Sequence, residues 1–388
     1  MKKLSNVIEQ IEIIHERLKL FIPKQLRPYY SQIDLEDIRD VIIYGGRGVG
    51  KTTFLLHKSL NKNFLYLSTD NPIVSPYPLF DIAEAVFYRG YDGVIIDEVH
   101  FAKDWEINLK AIYDSFPNKY IWVSGSSSLS LKSSKADLSR RYTLFRIPLM
   151  SFREYIFLTK NIEVESINPF NFEISFLEKL QDINILSLFR EYITSGIRPI
   201  FREGNYCQRL EGILEKSIFY DVPFFVPSVQ DNHLRIINAI LGHLIYSPIP
   251  TINISGMCSQ WHISKEKLYN LLFVMEQAEI INIVRKKKDK NLHFTKGAKL
   301  FLSDPSVYSC FNGDKGSLRE AFVVFSLKEK FDVFASDNES EYDYEVSGIK
   351  IEIGGKNKKF KKADFVIRDD IDIPVGNKIP MWLISLSF

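Results

Sequence analysis

Residues 45–52 read Gly45-Gly46-Arg47-Gly48-Val49-Gly50-Lys51-Thr52. Few octapeptides constrain a fold as tightly. They fill the pattern G-x-x-x-x-G-K-[ST], in which the glycines let backbone N–H groups wrap closely around an anion. Val41-Ile42-Ile43-Tyr44 precedes it, a short apolar β-branched run that predicts a buried strand. Thr53 to Lys58 follows and can carry a helix whose N-terminus points at the same anion. On this reading Gly45 to Thr53 cradle a triphosphate. Lys51 reaches its β- and γ-phosphates, and the Thr52 hydroxyl holds Mg²⁺. The bland alternative is a chance glycine-rich turn, and a second motif argues against it.

That second motif is Gly93-Val94-Ile95-Ile96-Asp97-Glu98. An apolar strand delivers two carboxylates at its C-terminal end, the edge where open α/β sheets bind ligands. Asp97 is expected to serve the metal. Glu98 is expected to orient and deprotonate an attacking water. The competing reading is a pair of solvated acids at a strand end.

The chain has 388 residues, enough for about two to three domains. Hydrophobic residues at 45% and charged residues at 25% are globular values. There is no run of about 18 apolar residues, so no membrane span is expected. The N-terminus carries Glu9, Glu12 and Glu16 where a signal peptide would be apolar. Instead Val7, Ile11, Ile14, Leu18 and Phe21 fall at the spacing of an amphipathic helix. Cys207, Cys258 and Cys310 are odd in number and far apart. They suggest a reducing cytoplasm rather than disulfides or a metal site. A net charge of +2 neither demands nor excludes nucleic acid.

Strands are expected at 41–44, 64–67, 94–96, 120–123 and 144–147, alternating with helical stretches. This is the pattern of a parallel sheet covered on both faces. The strand at 120–123 leads into Ser124-Gly125-Ser126. A polar residue there can sense the γ-phosphate. Ser126 is the first choice and Ser124 the reserve, against a simple helix-capping role. Arg140 and Arg141 follow. Arg141 is the candidate for steadying phosphoryl charge, in its own site or a neighbouring subunit's, against a surface ion pair.

Residues 151–230 read as an aromatic helical lid or connector. Three helical patterns and two strands at 280–284 and 292–295 then surround the run Arg285-Lys286-Lys287-Lys288-Asp289-Lys290. That arrangement describes a winged helix at 231–305, with Ser264 capping its third helix. Such modules enter DNA grooves, and the cations of the run are candidate phosphate contacts. The competing reading is a solvated charged turn. Residues 306–388 combine a helix with strands. Asp343, Glu352 and Lys356 approximate a metal-dependent nuclease pattern. The pattern places its lysine at 354, where Gly354 stands, so Lys356 is displaced by roughly 7 Å along the strand.

Taken together, these stretches resemble the prokaryotic AAA+-type ATPases that carry a winged helix and a C-terminal restriction-endonuclease-like domain of unknown function. The resemblance rests on the Gly46 to Thr53 loop, Tyr66-Leu67-Ser68-Thr69-Asp70, Ile96 to His100 with Trp105, Ser124 to Ser127 and Leu138 to Arg141. It continues through Pro148 to Tyr155, Lys299 to Pro305 and Leu318-Arg319-Glu320. Arg140 stands where the family has a small residue, Met150 interrupts a Pro-Leu-Ser-Phe run, and His100 replaces a frequent glutamine. The resemblance implies an α/β P-loop NTPase core over 1–150, a connector over 151–230, a winged helix over 231–305 and a small α/β nuclease-like domain over 306–388. It implies ATP and Mg²⁺ as cofactors, ATP hydrolysis as the activity, and compatibility with a homo-oligomer. The alternatives are a nucleotide-gated DNA- or protein-binding switch and an ATP-dependent nuclease.

Overall fold

The computed structural model describes residues 2–125, 138–173, 175–178, 180–181, 183–225, 231–248, 254–289, 297–356, 358 and 361–388. The chain divides into two compact units, Met1–Pro148 and Leu149–Phe388. Among the described residues no helix is long and apolar enough to cross a membrane.

The first unit is built on five parallel strands: β1 (Asp40–Tyr44), β2 (Phe64–Ser68), β3 (Gly93–Asp97), β4 (Tyr120–Gly125) and β5 (Thr143–Arg146). Their order in the sheet is β2-β3-β4-β1-β5. All five expected strands are present within one or two residues of their expected ends. They read as apolar runs because helices cover both faces. Val41, Ile43, Leu65, Val94, Ile96, Ile121 and Val123 are all fully buried or nearly so. The helices are α1 (Lys2–Leu20), α2 (Lys51–Lys58), α3 (Leu79–Tyr88) and α4 (Trp105–Ser115). The expected amphipathic N-terminal helix is α1. Val7, Ile8 and Ile11 enter the sheet's core cluster, whereas Phe21 lies past the helix end and is exposed.

Strand β4 lies between β1 and β3, and this order sets the geometry of the site. Ile43 is level with Ser124, and Ile96 with Val123. The ends of β1, β4 and β3 therefore stand side by side at one edge. The crevice where the chain order reverses lies between β1 and β4.

The second unit opens with α5 (Phe152–Lys160). Ser151 and Glu154 close a reciprocal capping box at its start. The aromatics of this stretch are core: Phe152 packs on Phe189 and Tyr192, and Phe189 on Phe322. Further helices are α6 (Ile185–Ser195) and α7 (Tyr206–Lys216). Next come α8 (Asp231–Tyr246), α9 (Ile254–Trp261) and α10 (Lys265–Gln277), then the antiparallel pair β6 (Ile281–Val284) and β7 (Lys299–Leu302). Ser264 caps α10 through the Lys267 N–H, as expected. The second strand of this pair was expected at 292–295. Residues 290–296 lie outside the described ones, and the described partner strand begins at Lys299.

Two helices, α11 (Ser306–Cys310) and α12 (Lys315–Lys328), lead into a mixed sheet. Its strands are β8 (Val333–Ala335), β9 (Tyr344–Val346), β10 (Ile349–Gly354), β11 (Phe365–Arg368) and β12 (Lys378–Pro380). They lie in the order β12-β11-β10-β9-β8, with β10, β11 and β12 parallel.

The cysteine expectation is corrected. Cys207 of α7 and Cys310 of α11 form a disulfide across 103 residues of sequence, with Cα atoms 5.3 Å apart. Cys258 is a free thiol. A separation of that length hides a contact made by two packed helices, so spacing alone pointed the wrong way. The compartment inferred from cysteine spacing loses its basis with it.

Candidate functional site

The glycine-rich segment leaves β1 and turns into α2. Gly45 has φ +149°, and a Cβ there would collide with the Ile147 carbonyl oxygen. Gly50 sits in the left-handed region at φ 95° and starts α2, a conformation that glycine adopts without a steric penalty. Two side chains from outside the motif brace the loop. Arg27 donates to the carbonyl oxygens of Val49 (2.7 Å) and Pro148 (3.0 Å). The Tyr30 hydroxyl donates to the Gly50 carbonyl at 2.8 Å. Neither residue was singled out from the sequence, because the contacts bridge twenty positions or more.

Lys51 is buried and its Nζ donates to the carbonyls of Gly45 (2.9 Å) and Gly46 (2.8 Å). Thr52 and Thr53 occupy the first turn of α2. The Thr52 hydroxyl donates to Asp97 Oδ2 at 2.6 Å, which joins the loop to the end of β3. The two motifs thus meet at one point.

Asp97 is a hub. Besides Thr52, its Oδ2 accepts from the Tyr66 hydroxyl at 2.8 Å. Its Oδ1 accepts from the Ser124 hydroxyl and from the Glu98 N–H. Burial, then the adjacent Asp97 charge, push the Tyr66 hydroxyl far above its ordinary pKa. It therefore remains a donor at any working pH. Ser124, the reserve choice on β4, is fully buried and reaches Asp97. Ser126, the first choice, lies outside the described residues. Glu98 stands next to the hub, its carboxylate 3.5 Å from Arg47 Nη1 and 3.4 Å from His100 Nε2. A cavity of about 400 Å³ opens beside Thr52, Tyr66, Asp97 and Glu98, with α1 residues Ile11, Ile14 and Leu18 on another wall.

Arg141 is not at this point. It lies just before β5, and Thr143 is level with Val41 near the start of β1. Its Nε is 3.3 Å from Asp114 Oδ1 at the C-terminal end of α4, and its guanidinium lies over the Tyr113 ring. The phosphate loop leaves β1 at Tyr44, level with Arg146. Three steps along the strand, about 10 Å, separate these two levels. Arg141 thus lies towards the edge of the sheet where β1 and β5 begin, and the phosphate loop leaves at the edge where they end.

Residues 38–156 match the family model described as an AAA domain. Over this segment the chain is similar to AAA-type P-loop domains. An uncharacterized protein of Methanocaldococcus jannaschii is 27% identical over 294 residues, which is 69% of this chain and 60% of that protein. The chain therefore spans less than two thirds of that relative's length. Among solved structures, a Walker-type ATPase of Pyrococcus abyssi superposes with a TM-score of 0.39 at 14% identity, over 75% of this chain and 96% of the other. A variant of Thermotoga maritima RuvB gives 0.27 at 13% identity, over 76% and 91%. For the AAA domain, the strand order and the joined motifs carry the structural argument.

The second unit holds a separate cluster. Asp343 and Glu352 lie together at one end of the mixed sheet, and Glu352 is 0% exposed. Lys358 Nζ is 2.9 Å from Asp343 and 3.1 Å from Glu352, and Lys361 Nζ is 2.9 Å from the other Glu352 oxygen. Burial works against the Lys358 charge, yet Asp343 and Glu352 hold its pKa above the ordinary value. The expected lysine, Lys356, is exposed and is replaced in this cluster by Lys358. Gly354 makes that possible, since a Cβ at 354 would lie 2.6 Å from Lys358 Cβ. Two ammonium groups neutralise two carboxylates here. Among the described residues no cluster of three His, Cys, Asp or Glu could hold a metal ion.

The basic run at 285–288 is also paired within its own unit. Arg285 makes a two-pronged bond to Glu276 at 2.8 and 2.7 Å. Lys287 meets Glu345 at 2.6 Å, and Lys286 and Lys288 lie 4.0 and 3.1 Å from Asp337. Lys290 lies outside the described residues.

Proposed function

We propose that the AAA domain binds Mg²⁺–ATP and hydrolyses it. The observation that carries this reading is the hydrogen bond from Thr52 to Asp97, which brings the glycine-rich loop and the strand-end acids to a single point. The residues present fit the metal: a neutral hydroxyl beside a carboxylate matches the Thr and Asp of P-loop sites, where phosphate and water complete the shell. When bound, the ion neutralises charge that develops between the β- and γ-phosphates.

The chain's own residues do the rest. Backbone N–H groups from Gly46 to Thr52 and the N-terminus of α2 bind the phosphates. Lys51 exchanges its carbonyl partners for β- and γ-phosphate oxygens. Glu98 accepts a proton from the attacking water. Tyr66 and Ser124 keep Asp97 fixed in place. Arg141, at the opposite edge of the sheet, is assigned to a neighbouring copy's site, in keeping with a homo-oligomer. The second unit is read as connector, winged helix and nuclease-like domain that respond to turnover. Its Lys-closed acid pair argues for a domain without nuclease chemistry. A nucleic acid would have to displace the ion pairs at 285–288, so a DNA-gated switch is the less supported reading.

Replacing Lys51 by Ala removes the cation that faces the phosphates. The expected result is a loss of ATP affinity of about tenfold or more, measured by fluorescence of a labelled nucleotide. Unchanged affinity would overturn the assignment of this loop to ATP.

A further inference from the structure

The backbone of Glu98 is pinned. It sits in the left-handed region at φ 52°. Its N–H donates to Asp97 Oδ1 at 3.1 Å, and its carbonyl accepts from the Thr69 hydroxyl at 2.5 Å. Rotation of the side chain is what remains to it. One carboxylate oxygen faces Arg47 and the other His100. Both of these cations or potential cations rest on one ring: Phe101 lies 5.8 Å from the Arg47 guanidinium and 4.3 Å from the His100 centroid. Val99 to Phe101 form a single tight turn. The clamp is therefore built from the residues that immediately follow Glu98 together with one side chain of the glycine-rich loop.

That one side chain is the informative element. Arg47 stands between Gly46 and Gly48, inside the segment assigned to phosphate, and its side chain is 9% exposed, against 17% for Glu98. A guanidinium so placed faces the Glu98 carboxylate, and with ATP in the loop a γ-phosphate would compete with that carboxylate for it. A phosphate carries more charge and more acceptor oxygens than a carboxylate, and arginine binds it in two-pronged fashion. We propose that Arg47 is a positioning residue that restrains Glu98 and releases it when a γ-phosphate takes over the guanidinium. ATP, but not ADP, would then free the base at the moment when a water needs it. This inference rests on the ATP reading of the same site.

The test is a double-mutant cycle in the full chain, with affinities for ADP and for the slowly hydrolysed analogue ATPγS measured for wild type, Arg47→Ala, Glu98→Gln and the double variant. If Glu98 and the γ-phosphate compete for Arg47, Glu98→Gln tightens ATPγS about fivefold when Arg47 is present and less than about twofold when it is absent. ADP affinity moves less than about twofold with Glu98→Gln in either background. Arg47→Lys, which keeps the charge, retains part of the coupling. An Arg47 that merely braced the loop would weaken ADP and ATPγS alike and leave the cycle additive. Equal tightening in both backgrounds, the signature of plain repulsion between Glu98 and phosphate, overturns the proposal while leaving the ATP reading intact. Failure of the wild-type chain to bind ATPγS at all overturns both.

Discussion

Asp97 accepts four hydrogen bonds, from Thr52, Tyr66, Ser124 and the Glu98 N–H. Each donor comes from a different segment of the chain. The acid and the loop threonine were legible in the sequence because each belongs to a local motif whose spacing reflects its chemistry. Tyr66 was legible as a strand residue and no more. Its hydroxyl reaches Asp97 across the neighbouring strands β2 and β3, and that proximity depends on strand order rather than on spacing. A Tyr66→Phe variant keeps the ring and loses the donor. It is expected to cost about 1 kcal/mol of stability and to lower turnover about three- to tenfold, with a higher Mg²⁺ concentration needed for half-maximal rate. Steady-state phosphate release at graded Mg²⁺ measures this, and an unchanged Mg²⁺ dependence would show that Asp97 needs no help from Tyr66.

At the scale of elements, the strands were legible because both faces of the sheet are covered, which leaves unbroken apolar runs. The position of Arg141 was not. Its sequence context resembles a catalytic arginine, but a parallel strand begins at the edge opposite to where it ends, and Arg141 precedes β5. Helix α1 gives a second example. Its apolar spacing was plain, yet its tie to the sheet is polar: His15 Nδ1 accepts from the Tyr66 N–H at 3.2 Å. Burial, with Lys19 adding to it, lowers the His15 pKa from 6.5 to about 4. Between these values the unfolded chain takes up a proton that the folded chain refuses, so this contribution to stability falls as pH falls from 6.5 towards 4. The full span is worth about 3 kcal/mol. Asp40 at the start of β1, raised by burial from 3.8 to about 6, acts in the opposite sense over an overlapping range. Going from pH 7 to pH 4.5 should therefore shift the urea midpoint further towards lower urea in wild type than in His15→Gln, where only the opposing Asp40 effect remains. Equal shifts would mean that His15 is not the group that titrates.

At the scale of the molecule, the division into two units is sharper than sequence patterning suggested. The first unit carries a site whose parts converge. The second carries features whose chemistry is already satisfied internally: the 207–310 disulfide, the paired cations at 285–288, and an acid pair closed by Lys358 and Lys361. These satisfied groups could not be read from the sequence, because a charge shows its partner only once the chain is folded. The proposed chemistry accordingly rests on the first unit and on Glu98. Phosphate release from ATP and nucleotide affinity, measured side by side in wild type and in Glu98→Gln, test it most directly. The expected result is Mg²⁺-dependent turnover in wild type, a loss of about a hundredfold or more in the variant, and ATP binding that is kept or tightened. Turnover by Glu98→Gln at the wild-type rate would contradict the account.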